Sequence, residues 1–417
     1  MRRYVLLFTA LAAGGAFAPR AVAQEPARRD SLERRITVLE AQIDSLRRIV
    51  RQLATEHRDT AGPAGELAAL RARARELAPE QPQDTVQEPS ALRSRNLNQL
   101  NPEISVTGDV RIRAAWPGPQ QDNIDVREFC FGFQSPLDPY ANTKIFFAVG
   151  HHVELEEGYV YWTGLPAGLR LDLGRFRQQA GELNRWHLHA IPGTEYPLVL
   201  TEYFGHHGLV GNGLSLYTLL PVTSPGGGVH ELWGQVTLAD NDVLFASGRR
   251  LSVLGHVNNF WQLSRSSYVQ VGGTALYGEN PDSAVTSRVF GADVRFTWRP
   301  PERALYRSFT LRAEGFAVRR RVAGVGDTRY GGYAAAELQL TRRLQAGGRF
   351  DCVERLDGVT SVWQTTAYLT WWQSEWAFLR AEWQHESTSL VTEGREHANR
   401  LVAQVVWAIG PHKHEAY

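Results

Sequence analysis

The feature that most constrains this chain is a period-two alternation of apolar and polar residues that starts near residue 101 and continues almost to residue 417. In EISVTGDVRIRAA, for example, Ile104 and Val106 alternate with Ser105 and Thr107. Successive side chains of a strand point to opposite faces, so each such run predicts a strand with one apolar and one polar face. Turn signals separate sixteen runs, most of them long enough to cross a bilayer when tilted. The predicted strands span residues 103–115, 124–134, 140–150, 153–163, 168–177, 208–220, 228–239, 249–263, 266–278, 286–299, 305–321, 330–341, 343–354, 360–372, 375–386 and 398–410.

The connections between these runs favour a membrane barrel over a soluble β-sandwich, whose strands would be shorter. A bacterial barrel alternates short periplasmic turns with longer external loops. With the N-terminus in the periplasm, the odd-numbered connections are external, and the third of them, 178–207, is the longest. The even-numbered ones include the short SPLDP at 135–139. Residues 101–417 therefore predict an all-β fold, a 16-stranded antiparallel transmembrane β-barrel in the outer membrane.

The first residues predict export. Arg2 and Arg3 precede an apolar run at 5–18, and AVA at 21–23 has the small residues that a signal peptidase requires. We expect a signal peptide at 1–23. A membrane-anchor helix is the alternative, but the run is short for a span.

Residues 24–57 predict an α-helical coiled coil that lies in the periplasm. Apolar residues occupy the a and d positions of about four heptads. They are Ile36, Ile43 and Val50 at a, and Leu32, Leu39, Leu46 and Leu53 at d. A lone amphipathic helix is the alternative. Residues 58–100 predict a weaker helix followed by a Pro/Gln-rich linker.

Charge and cysteine content exclude several classes of protein. Lys and Arg number 45 against 44 Asp and Glu, so nothing points to a nucleic-acid partner. Almost every cation is an arginine, because the only lysines are Lys144 and Lys413. Cys130 and Cys352 fall on opposite types of strand face, which predicts two free thiols rather than a disulfide.

Four segments carry a resemblance to a known family: NPEISVTGDV at 101–110, FQSPLDPYANTKIFFAVG at 133–150, EEGYVYW at 156–162 and LRLDLGRF at 169–176. The barrel region resembles the outer-membrane porins, and most closely the phosphate- and polyphosphate-selective porins. The resemblance covers about three quarters of the chain and implies a channel for small hydrophilic solutes or anions. It also implies a homotrimer, whereas the Ile/Val-a, Leu-d heptads favour a dimer.

In porins the third external loop folds inward and narrows the pore. The resemblance therefore implies that Arg175, Arg177, Glu182 and Arg185 form the pore constriction. It implies pore-lining roles for Arg111, Arg113, Arg170, Asp172, Arg295, Arg312, Arg349 and Arg380. A solvated external lid is the alternative. The chain departs from the lysine-rich sites of phosphate-selective members, since Lys144 is the one lysine among the predicted strands.

The function predicted from the sequence is passive diffusion through a porin-like channel, with outer-membrane lipid around it. A non-conducting barrel that anchors the coiled coil is one alternative, and a barrel enzyme is another. The sequence contains no nucleophile elbow, phosphate loop or His-Glu-x-x-His motif, so we expect no catalytic residues and no cofactor. The paired histidines, such as His187 and His189, lack the spacing of a metal site, so we expect no metal.

Overall fold

The protein forms a closed β-barrel in a computed structural model that describes residues 102–117, 123–150, 152–222, 224, 226–390 and 394–410. Sixteen antiparallel strands follow one another around the ring, and β1 pairs with β16 to close it. Their bounds are β1 Glu103–Trp116, β2 Ile124–Pro136, β3 Ala141–Val149, β4 Val153–Trp162, β5 Arg170–Arg177, β6 Val210–Leu219, β7 Val229–Leu238, β8 Leu251–Gln262, β9 Ser267–Asn280, β10 Val285–Trp298, β11 Phe309–Val322, β12 Thr328–Gln339, β13 Leu344–Glu354, β14 Thr360–Trp372, β15 Ala377–Leu390 and β16 Gly394–Ile409. All sixteen predicted strands are confirmed. The predicted signal peptide, coiled coil and linker lie outside the described residues.

The alternation in the sequence separates the two faces of the barrel wall. On β1, Ile104 and Ile112 face outward and are 51% and 53% exposed, whereas Thr107 and Asp109 face inward and are buried. An apolar outer face and a polar inner face are the arrangement that lipid requires of a barrel. Cys130 is buried and Cys352 exposed, and both thiols are free, as predicted. Among the described residues, no helix is long and apolar enough to cross a membrane.

Two strand boundaries differ from prediction in a way that changes the loops. β11 begins at Phe309, because residues 299–308 form a turn that contains a 3-10 segment at Pro301–Arg303. β15 and β16 continue pairing as far as Leu390 and Gly394. The predicted strands at 375–386 and 398–410 leave an external connection of residues 387–397, and this prediction is wrong, because main-chain pairing continues where the apolar alternation has ended.

Two β-bulges interrupt the otherwise regular register. The pairing of β1 with β2 shifts so that Arg127 is the extra residue, and the pairing of β3 with β4 shifts so that Glu156 is the extra residue. A bulge places two consecutive side chains where regular alternation would place one. The bulge on β2 turns both Arg127 and Glu128 inward, and the bulge on β4 does the same for Glu156 and Glu157.

The connection from β5 to β6, residues 178–209, runs into the barrel and is called the third loop below. It contains a 3-10 turn at Leu183–Arg185 and a helix, α1, at Leu198–Phe204. Helix α1 follows Pro197 and ends at Gly205, whose φ of 87° only glycine adopts easily. A second short helix, α2 at Asp242–Phe245, lies in the connection from β7 to β8.

Candidate functional site

The third loop packs against an apolar patch on the inner wall of the barrel. Leu183, Ile191 and Leu200 of the loop are each at most 1% exposed and belong to one cluster with wall residues. The wall contributes apolar side chains at inward positions, including Phe316 and Val318 of β11. Their burial removes apolar surface from water inside a mostly polar lumen. The loop is thus packed as a small core inside the barrel.

Glu182 fixes the first part of the loop to strands β10 and β11. Its carboxylate lies 2.8 Å from Arg295 Nη1 of β10 and 3.3 Å from Arg312 Nε of β11. The side chain is only 2% exposed. The neighbouring Leu183 amide donates to Glu314 Oε1 at 2.8 Å. Buried charge-assisted bonds of this kind hold one geometry strongly, because breaking them leaves charges uncompensated.

The second part of the loop is fixed to β13 and β15, two strands near the C-terminal end of the barrel sequence. The Thr194 amide donates to Glu382 Oε2 of β15 at 2.8 Å. The Leu198 amide donates to Asp351 Oδ1 of β13 at 2.9 Å, where it begins α1. Arg349 donates from Nη1 to the Glu195 carbonyl at 2.9 Å. The main chain of the loop is therefore hydrogen-bonded directly to the barrel wall.

The two bulges fix the middle of the loop. His187 Nδ1 lies 2.7 Å from Glu156 Oε2, and its Nε2 lies 3.0 Å from Glu157 Oε1. His189 Nδ1 lies 3.2 Å from Glu128 Oε1. The bulge on β4 thus brings two consecutive carboxylates to His187, and the bulge on β2 brings one carboxylate to His189.

The charge state of these histidines follows from their surroundings. Burial lowers the pKa of His187, but Glu156 outweighs burial and, with Cys130 and Glu157, raises this pKa well above its ordinary value. Burial and then the charge of His187 lower the pKa of His189 to about 3. His187 is therefore an imidazolium at neutral pH, and His189 is neutral.

We expect the His187 contact with β4 to weaken as pH rises. Because folding raises the pKa of His187, its stabilisation is complete below about pH 6.5, the ordinary value, and is lost as pH rises through the higher folded value. His187→Gln should accelerate tryptic cleavage of the loop at about pH 6, and the ratio of variant to wild-type rates should fall toward one as pH rises through the folded pKa of His187. His152→Gln, at an exposed position, is the matched control. A ratio independent of pH would contradict the assignment.

The structure places the four predicted constriction residues in different surroundings. Glu182 is buried between two arginines, as described. Arg177 is buried 2.8 Å from Glu156. Arg185 reaches a cavity beside the loop. Arg175 does not join them, because it lies on the outer face of β5, where its Nε donates to the Leu155 carbonyl at 2.7 Å.

The predicted pore-lining residues face the lumen, but several of them hold the loop. Arg295 and Arg312 pair with Glu182, and Arg349 and Arg380 donate to loop carbonyls. The remaining predicted residues pair with carboxylates: Arg111 with Asp125 and Glu195, Arg113 with Asp125, and Arg170 with Asp172. Most of these guanidiniums are thus already compensated by carboxylates of the chain.

One group of buried donors within the described residues has the spacing of a metal site: Cys130, Glu156 and His187, whose ligand atoms lie within 4.8 Å of one another. Glu156 already binds Arg177 through one oxygen and His187 through the other. An ion-pair network therefore accounts for these side chains, and the absence of a metal stays a prediction from the sequence.

The residues that the bulges turn inward were not predicted from the sequence. They are Arg127 and Glu128 on β2, and Glu156 and Glu157 on β4. Each pair is a local break in the alternation, visible as DVREFCF at 125–131 and ELEEGYV at 154–160. Two consecutive charges in an otherwise alternating strand are the signal that could have revealed them.

Comparison with known proteins shows the fold. No family model matches the chain. An uncharacterized protein of Aquifex aeolicus (strain VF5) is 36% identical over 91 residues, which is 21% of this chain and 19% of that protein. Among solved structures, OprB of Pseudomonas putida aligns with a TM-score of 0.51 at 9% identity, covering 77% of this chain and 97% of that one. The outer membrane channel DcaP of Acinetobacter baumannii aligns with a TM-score of 0.48 at 9% identity, covering 74% and 97%.

Proposed function

We propose that this protein is a porin-like channel of the outer membrane, through which small hydrophilic solutes or ions diffuse passively. The observation that carries the proposal is a loop of about thirty residues packed inside a closed barrel with a polar inner wall. Such a loop reduces the cross-section available to a solute and sets a size limit. The apolar outer face and the likeness in fold to OprB support the membrane assignment. The proposal gives the protein no catalytic role.

The third loop acts as the constriction in this proposal, and the N-terminal coiled coil lies in the periplasm. The barrel assembles as a homotrimer, as its resemblance to porins implies. Arginines at the inner wall favour anions over cations, although most of them are compensated by carboxylates.

Ion conductance tests the proposal directly. Purified full-length protein reconstituted into a planar bilayer should give discrete conductance steps in KCl. If the protein inserts, as heat-sensitive migration of the folded barrel in SDS gels would verify, and yet no steps are seen, the channel proposal fails. That outcome would instead favour a barrel that the loop closes and that anchors the coiled coil, which the tight packing of Leu183 and Ile191 would explain.

A selectivity measurement tests whether Arg185, and not Arg175 of β5, faces the solute path. Arg185 has no carboxylate within ion-pair distance among the described residues. Arg185→Glu therefore changes the local charge by two units and breaks no ion pair. We expect the reversal potential in a tenfold KCl gradient to shift toward cations by roughly 10–20 mV, out of about 59 mV for ideal selectivity. Arg175→Glu, on the outer face, should leave it unchanged. Equal shifts in both variants would contradict this assignment.

A further inference from the structure

The barrel contains a cavity of about 490 Å³ that lies beside the third loop. Its lining comes from the loop and from the inner faces of strands β2 to β9, and it combines aromatic rings, amides and charged groups. The wall residues that line it lie toward the end of the barrel at which β1 begins. A volume of this size is typical of a small-molecule site.

Most of the charges that line this cavity compensate one another. Arg170 Nε lies 2.7 Å from Asp172 Oδ1, and Lys144 Nζ lies 3.4 Å from Glu157 Oε2. Arg177 Nε lies 3.8 Å from the same glutamate. A ligand gains little from a charge that is already paired, because binding would only exchange one partner for another.

Two lining residues are exceptions, one of each sign. Arg185 makes no hydrogen bond or ion pair with any described residue, and its Nε is buried without a partner. Glu231 accepts hydrogen bonds from Tyr217 Oη and Asn258 Nδ2, both at 3.0 Å, which are neutral donors. Within the part of the chain that the structure describes, no cation lies within ion-pair distance of Glu231. The cavity thus presents one cation and one anion that have no ion-pair partner among the described residues.

An aromatic ring connects these two groups. The Arg185 guanidinium carbon lies 6.0 Å from the ring centroid of Trp233. Glu231 precedes Trp233 by two residues on β7, so their side chains share the inner face about 7 Å apart along the strand. Tyr217 packs against Trp233 with ring centroids 4.9 Å apart. A ligand that contacts both charges would therefore lie across an apolar surface.

We propose that this cavity binds a small zwitterion that carries an apolar side chain and whose ammonium and carboxylate are several bonds apart, as in a dipeptide with an apolar side chain. The carboxylate binds Arg185, the ammonium binds Glu231, and the apolar side chain packs on Trp233. A simple anion would leave Glu231 uncompensated, and a neutral sugar would leave both charges so. The inference rests on the proposed function, because it names the class of solute that the channel takes.

The test uses phenylalanylglycine and two capped forms of it, with binding measured by titration calorimetry on the full-length protein in detergent. N-acetylation removes the ammonium, and amidation of the C-terminus removes the carboxylate. We expect each capped form to bind the wild-type protein at least about tenfold more weakly than the free dipeptide. Equal binding of all three, or no binding of the free dipeptide, would overturn the proposal.

Two variants assign the charges to residues. Arg185→Gln should weaken the free and the N-acetylated dipeptide at least about tenfold but leave the amidated form unchanged. Glu231→Gln should weaken the free and the amidated dipeptide but leave the N-acetylated form unchanged. Arg342→Gln, at an exposed turn position, should change none of them. The reverse pattern, or an equal loss for all ligands in a folded variant, would overturn the assignment.

The binding measurement does not depend on ion flow through the barrel. Failure of the binding proposal can therefore be distinguished from failure of the channel proposal. A protein that binds the dipeptide but gives no conductance steps refutes the channel and retains the site. A protein that conducts but binds all three ligands equally refutes the site and retains the channel. If either variant fails to fold, the three ligands on the wild-type protein still decide whether a zwitterion is recognised.

Discussion

Replacing Glu182 with glutamine is expected to release the third loop from the inner wall of the barrel. The substitution keeps the shape of the side chain but removes the charge that Arg295 and Arg312 share. Breaking a buried pair by removing one partner costs roughly 3–5 kcal/mol, and we expect about 3 because Arg312 retains Glu337. Lowering the free energy of loop opening by this amount raises the population of the open loop on the order of a hundredfold.

Tryptic cleavage after Arg185 measures this opening, because the bond is accessible only when the loop leaves its position. The cleavage rate should rise roughly in proportion to the population of the open loop. Glu302→Gln, at an exposed position in the turn before β11, is the matched control and should cleave as the wild type does. Equal cleavage rates in the two variants would show that the ion pairs do not hold the loop.

Replacing Gly174 with alanine is expected to prevent normal closure of β4, β5 and β6. Gly174 has a φ of 140°, which a side chain rarely adopts, and an added Cβ would lie 2.3 Å from the Gly158 carbonyl oxygen and 2.7 Å from Tyr159 Cα. These are main-chain atoms, so no side chain can move aside. Strained φ alone costs about 1–3 kcal/mol, and the contact adds to it.

The folded fraction of Gly174→Ala after refolding is measured in SDS gels, in which the folded barrel of an unheated sample and the unfolded chain of a heated sample migrate differently. We expect a large loss of the folded band, together with an earlier thermal transition of the part that folds. Gly234→Ala on β7 is the control, since nothing lies within 4 Å of its added Cβ. Folding of Gly174→Ala as complete as that of the control would contradict the strain that we assign to this position.

The barrel itself could be predicted from the sequence because one physical rule determines it. Lipid outside and water inside impose a period of two on every strand, and the sixteen runs display it. The long interruption after β5 also indicated a separate element at 178–207. Strand ends were less predictable, since the pairing of Ser389 with Arg395 depends on the main chain and not on side-chain type.

The site could be predicted only in part, because side-chain direction depends on register. Arg175 and Arg177 are two residues apart, yet Arg175 lies on the outer face and Arg177 is buried, since the chain leaves the wall at the end of β5. The inward direction of Glu157 depends on a bulge that the period-two rule does not contain. Pairing across long sequence distances, such as Glu182 with Arg312, leaves no local signal at all.

The contacts of the third loop also determine when in folding it can reach its final position. Its hydrogen bonds to β11 and β15 join residues that are 130 and 188 positions apart in sequence. The loop is made early in the chain, but the partners in these bonds follow only with the later strands, and closure of such long segments is slow. We therefore expect the loop to dock late in folding, after the strands that hold it have been made.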